Sequence, residues 1–302
     1  MASAIPTVME LRRAFSSAKP PDRITQDAFD SSPKHLHRLA RLHPGERAPA
    51  KDLWEYTQDL LYGREVQASL AAYLFPFCLE AWREDLRGLT SEYGGFVEYL
   101  YPVLANKRTG EHLDPKRMAA VADFMKRTIL EEIDDQRGLI YSGGAARPYR
   151  WIRALTTYGV LFPDLDRLWS AWWSIETVGK ATAIVQYASC LMYPTDENPV
   201  FARWTPEGGG GPPCLWEFAG HLYNHQWLDA NVAFLKDMLT VQRTIETVDK
   251  AVKRLVSEAE FSVAAEIQSD MPLCTETLAS RCAELPNMLA TDEASKTHEW
   301  SL

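Results

Sequence analysis

Residues 51–290 contain successive apolar runs at helical spacing, each roughly 12–20 residues long, and no sustained apolar–polar alternation between hairpin turns. A half-buried strand needs a period of two and an amphipathic helix a period of 3.6, so the pattern argues against any major sheet. The clearest helix start is Asp114-Pro115. An acid at the N-cap accepts from free backbone N–H groups, and proline at the first helical position sacrifices no hydrogen bond. That helix is predicted through Met118, Val121, Met125 and Ile129 to about Gln136, with Gly138 ending it. Asp52-Leu53-Trp54 opens an earlier helix to about Tyr62, and the run 66–86 continues helically. Pro76 removes a backbone donor inside that run and is expected to kink or split it. Pro148 opens another helix through Trp151 and Leu155, and Asp164 caps one carrying Leu165, Leu168, Trp169 and Trp172. Further helices are predicted at 178–192, 214–238, 241–257, 259–270 and 274–290. The expected fold class is all-α, an irregular multi-helix assembly. The spacing admits HEAT-like helix pairs, but no repeated motif marks a solenoid.

At 302 residues the chain exceeds the usual size of one core, so one large or two intimate domains are expected. The sequence reads as a basic, Pro- and His-containing arm (1–50), an all-helical core (51–290) and a C-terminal tail (291–302). Within the core, 138–147 is a candidate sub-boundary and 205–213 a glycine-rich loop. The arm carries eight Lys/Arg against five Asp/Glu, a net of +3, which leaves −12 of the overall −9 on residues 51–302. Lys34, His35, His37, Arg38, Arg41, His43 and Arg47 stand among prolines. They are read as a mobile or surface-laid arm across the acidic body, or as a pH-responsive basic arm for an anionic surface. An acidic body makes nucleic acid a poor main ligand, since phosphate binding needs positive potential. It suits a basic protein partner. Five widely spaced cysteines without a CxxC form neither a disulfide framework nor a zinc ribbon, and they fit a reducing compartment. The longest uncharged stretches fall short of the roughly 20 residues that span a bilayer. A soluble, cytoplasmic protein is the expectation.

The densest chemistry lies in 204–227, which holds four consecutive glycines, Pro212, Pro213, Cys214 and the tryptophans Trp204, Trp216 and Trp227. Glu217, His221 and His225 follow at i, i+4 and i+8, a stripe about 80° wide on a helix, with the Trp216–Tyr223–Trp227 stripe about 140° away. At about 1.5 Å rise per residue, Glu217 and His225 are roughly 12 Å apart, too far to share one ion easily. His221 and His225 remain a candidate pair for a divalent metal, completed by Cys214 or a distant carboxylate. The glutamate that zinc peptidases place directly after the first histidine is missing. The competing reading is a pair of exposed or hydrogen-bonded histidines. No other cofactor is implied.

Three further groups carry candidate chemistry. Glu132, in the run EEIDDQ, falls between Met125 and Ile129 on the apolar face, and a carboxylate placed there is a candidate acid or base. Alternatively, that last turn emerges into solvent. The run lacks the spacing of paired metal-binding acids. Arg147 closes the loop SGGAAR, and with Arg150 and Arg153 just after it could converge on an anion, or pair with the upstream acids instead. Trp173, Trp204, Trp216 and Trp227 are candidates for a partner or ligand surface, with core packing as the alternative. No serine stands in GxSxG and no cysteine has a local nucleophile signature. The best reading is a non-catalytic intracellular protein-binding protein of inhibitor, immunity or adaptor type. The alternatives are a metal-dependent enzyme on the Glu217/His221/His225 helix, or a small-molecule binder with a Trp-lined pocket and an Arg cluster.

Overall fold

A computed structural model describes residues 8–15, 19–29, 32–43, 46–87, 100, 103–104, 113–139, 147–193, 198–201 and 227–290, except for the side chains at 147–150, 153, 201 and 288. The chain is all-helical and, among the described residues, forms no sheet. It divides into two compact units, Met1–Thr128 and Ile129–Leu302.

The first unit holds α1 (Val8–Ala14), α2 (Lys34–Leu39), α3 (Ala50–Tyr62), α4 (Ala68–Leu86) and the N-terminal part of α5 (Pro115–Asp134). Its centre is α4, in which Leu70 through Leu79 are buried on every side. Pro76 lies inside α4 without splitting it. A proline in a helix interior costs about 3 kcal/mol. Burial of Tyr73, Leu74, Phe75, Phe77, Cys78 and Leu79 on both adjoining turns offsets that cost. Helix α1 packs on α4, with Phe15 stacked on Phe75 at 6.2 Å and the Arg12 guanidinium 4.7 Å from the Phe77 ring. Asp114 is the cap the sequence implied: its carboxylate accepts from the Arg117 amide at 2.9 Å.

The second unit continues from the end of α5 into α6 (Arg147–Leu161), α7 (Leu165–Trp173), α8 (Val178–Met192) and a 3₁₀ turn (Pro199–Phe201). It is completed by α9 (Asp229–Met238), α10 (Val241–Leu255), α11 (Phe261–Asp270) and α12 (Thr275–Ala290). Helix α8 is buried nearly all round, Lys180, Thr182, Gln186 and Ser189 included, and lies at the centre, touching α6, α7, α10, α11 and α12. Contacts of α8 with α12 and of α9 with α12 join helices far apart in sequence, whereas a solenoid repeat meets only its neighbours. The arrangement is therefore an irregular assembly.

Two glycines set close approaches in this unit. A Cβ on Gly179 would overlap the Asp134 carbonyl, so the start of α8 lies directly against the end of α5. Thr177 caps α8 by accepting from the Lys180 amide, and its hydroxyl donates to Asp134 at 2.8 Å. A Cβ on Gly159 would overlap the Trp227 ring. Helix α5 stops at Asp134, short of the expected stop at Gly138; Gly138, in the loop beyond it, has φ 78°, a left-handed conformation that favours glycine, and its amide donates to the Glu260 carboxylate at 2.6 Å.

Candidate functional site

Helix arithmetic placed Glu132 on the apolar face, and its side chain is fully buried between turns carrying Ile129 and Ile133. Its carboxylate accepts from the Gln136 side-chain Nε2 at 3.1 Å, while the same nitrogen donates to the Glu132 carbonyl at 2.9 Å. None of the three described clefts is lined by it. Arg147, Arg150 and Arg153 stand at i, i+3 and i+6 in the first two turns of α6; their side chains lie outside the described part. Trp204, Cys214, Trp216, Glu217, His221 and His225 lie outside the described residues, as do the 205–213 loop and the 291–302 tail. Among the described residues no group of three His, Cys, Asp or Glu side chains is placed to hold a metal.

The tryptophans of α6 and α7 make a core. Trp151, Trp169 and Trp172 are buried, with Trp151–Trp172 and Trp169–Trp172 ring centroids 5.0 and 5.1 Å apart in edge-to-face contact. Trp173 is half-buried at the rim, 5.2 Å from Trp169. Beside it lies a void of about 10 Å³ bounded by Ile184, Tyr187 and Leu191, room for one water at most. Trp227 is buried against Gly159, and its amide donates to the Leu289 carbonyl at 3.0 Å.

The acidic character belongs to the second unit. Residues 129–302 carry fourteen Lys/Arg and twenty-four Asp/Glu, a net of −10, while residues 1–128 carry eighteen and seventeen, a net of +1. The imbalance is steepest at the α11–α12 hairpin: residues 257–290 contain six acids and one cation, Arg281. Three of those acids have internal partners. Glu260 accepts the Gly138 amide, Asp270 accepts the Tyr193 hydroxyl at 2.8 Å, and Glu284 accepts the Ser280 hydroxyl at 2.5 Å. Glu258, Glu266 and Glu276 are exposed and make no ion pair among the described residues. Interspersed with them are Leu273, 84% exposed, Val256, 60% exposed, and Phe261, also exposed. Acidic side chains around exposed apolar ones can attract a cationic surface from a distance and offer it apolar contact on arrival.

A second polar constellation, in the first unit, was missed in the sequence. His35 of α2 is buried against α3, its Nε2 2.5 Å from the Asp59 carboxylate and its Nδ1 3.4 Å from Glu55. One turn on, Arg38 holds Asp52 through two donors at 2.6 and 2.7 Å. Burial disfavours the His35 cation, but the hydrogen bond and charge of Asp59, with Glu55 and Asp52, outweigh it and raise the pKa. Asp52, Glu55 and Asp59 occupy i, i+3 and i+7, one stripe of α3, and that spacing was the available signal. The basic segment thus lies on acids of its own unit, as Arg47 also does by pairing with Glu84 at 2.6 Å. No protein-family model, no curated protein and no solved structure matches the chain.

Proposed function

We propose that this is a non-catalytic, helical protein-binding protein of the cytoplasm, acting as an inhibitor or adaptor, and that the α11–α12 hairpin meets a basic protein partner. The observation that carries the reading is the charge asymmetry, −10 on residues 129–302 against +1 on residues 1–128. Exposed Glu258, Glu266 and Glu276 supply long-range attraction, and Leu273, Val256 and Phe261 supply contact area that polar side chains alone would not. Helix α12, with 16 residues, is about 24 Å long, enough to carry one side of a standard interface. The cytoplasmic assignment rests on four described cysteines that are all free thiols; burial pushes the Cys78 thiol up to about 12, which makes it inert.

Zero-length carbodiimide crosslinking of the chain to a captured partner tests the placement. Crosslinks from partner lysines to Glu258, Glu266 or Glu276 are expected. Crosslinks confined to acids of residues 1–128 would contradict it.

A further inference from the structure

The loop through Ile24, Thr25, Gln26, Asp27 and Ala28 is extended, without regular hydrogen bonding, yet it is anchored at both ends. The Gln67 side chain accepts the Thr25 amide at 2.9 Å and donates to the Arg23 carbonyl at 2.9 Å, while the Gln67 amide donates to the Gln26 side-chain oxygen at 3.0 Å. At the other end the Phe29 amide donates to Asp59 at 2.7 Å. The loop is therefore a fixed wall, not a flap. Between it and the end of α3 lies a cleft of about 640 Å³, and on the far side of Phe29 lies another of about 340 Å³. Phe29 lines both. Its ring and that of Tyr62 are 5.2 Å apart, yet the two residues are 59% and 60% exposed. The rings are tilted by 42°, so beside the cleft a planar ligand can stack on the face of one and meet the other at an angle.

The polar groups of the clefts can be divided into those already engaged and those left over. Asp52, Glu55 and Asp59 are committed to Arg38, His35 and the Phe29 amide. What remains is a surplus of donors. Gln26 is only 4% exposed and lines the larger cleft, and its side-chain nitrogen has no hydrogen-bond partner. The buried side-chain nitrogen of Gln58, in the smaller cleft, has none either. Lys34 and His37 are exposed at the two clefts and make no ion pair among the described residues; Asp27 is the one carboxylate in the same condition. A buried amide N–H without an acceptor is costly, and a ligand acceptor removes that cost.

We propose that these clefts form one binding site for a small anionic molecule that carries a planar ring. The ring lies on Phe29 and Tyr62, an acceptor atom receives the Gln26 or Gln58 N–H, and the anionic group lies toward Lys34 and His37. A nucleoside monophosphate and an aromatic carboxylate share this chemistry. The site is independent of the acidic α11–α12 surface.

Calorimetric titration of the full chain with adenosine monophosphate and with indole-3-acetate tests the proposal, with adenosine and inorganic phosphate titrated separately. Saturable binding of either ring-bearing anion supports it and identifies the source. Binding at least tenfold weaker in Tyr62→Ser and in Gln26→Glu is expected, with the circular dichroism of each variant at the titration temperature unchanged. Gln26→Glu keeps the oxygen that accepts from Gln67 and replaces only the donor, so it separates ligand binding from anchoring of the loop. No saturable binding of either ring-bearing anion would overturn the proposal. So would adenosine or phosphate binding as tightly as the complete nucleotide, or affinities unchanged in both variants.

Discussion

Asn231 pins the start of α9 to the end of α6, and removing its amide is the sharpest test of how the second unit is held together. The residue is 1% exposed, and its side-chain nitrogen donates to the Gly159 carbonyl at 2.8 Å and to the Phe162 carbonyl at 2.7 Å. Both carbonyls are in or just beyond the last turn of α6, where a helix runs out of its own donors. Asn231→Ala deletes two hydrogen bonds and leaves the Phe162 carbonyl without this donor, while the Gly159 carbonyl keeps the Leu228 amide at 3.4 Å, for a combined loss of about 2–3 kcal/mol. For a unit of this size, 1 kcal/mol shifts the melting temperature by about 2–4 °C, so a drop of roughly 4–12 °C is expected. Asn231→Asp keeps the shape but turns an oxygen toward each carbonyl. Burial beside two acceptors raises that carboxyl in the folded state, so stability is lost as pH rises above about 3.9, the ordinary aspartate value. Thermal melts at acid and neutral pH should therefore show Asn231→Asp closer to wild type in acid and at or below Asn231→Ala at neutral pH. An Asn231→Ala protein melting within about 2 °C of wild type, or an Asp variant indifferent to pH, would refute this reasoning.

The raised His35 pKa makes the α2–α3 contact pH-dependent: its contribution is complete below about 6.5 and disappears as pH rises through the folded value. Amide hydrogen exchange of α2 and α3, corrected for intrinsic rates, should show the segment loosening on the alkaline side, and His35→Gln should flatten the profile. An unchanged profile in His35→Gln would assign the effect elsewhere. Gly179→Ala drives a Cβ into the Asp134 carbonyl, and overpacking of about 1–3 kcal/mol outweighs the gain in helix propensity of about 1 kcal/mol. Urea denaturation should show a lower midpoint, and an equal or higher one would contradict the close approach. Gly159→Ala should displace the Trp227 ring, read as a change in tryptophan fluorescence with a lower melting temperature.

The helices were legible because their signals are local. Asp114 and Pro115 start α5, and the 3.6-residue period carries Glu132 into the interior, although the helix stops at Asp134 before reaching Gly138. Where a partner from elsewhere in the chain decides, the sequence was silent. Asp164 precedes α7 as expected, but its carboxylate accepts from the Tyr158 hydroxyl at 2.5 Å and makes no cap hydrogen bond with the helix. Pro76 stays helical because the core around it supplies more than the lost bond costs. His35 sits in a charged, proline-bounded run that looks solvated, and its burial follows only once α3 presents Asp59, 24 residues later. Composition alone spreads the net negative charge over residues 51–302, because the division between units falls inside the continuous helix α5, where composition gives no mark.

Affinity capture in rising salt, with the wild-type chain beside a Glu258→Lys/Glu266→Lys/Glu276→Lys variant, addresses the central claim most directly. These side chains are exposed, so the variant should melt like wild type. The account predicts a basic protein retained by the wild type at low ionic strength, released as salt shortens the Debye length below about 10 Å, and not retained by the variant. Finding no partner, or one held equally at all salt concentrations and by both proteins, would contradict it.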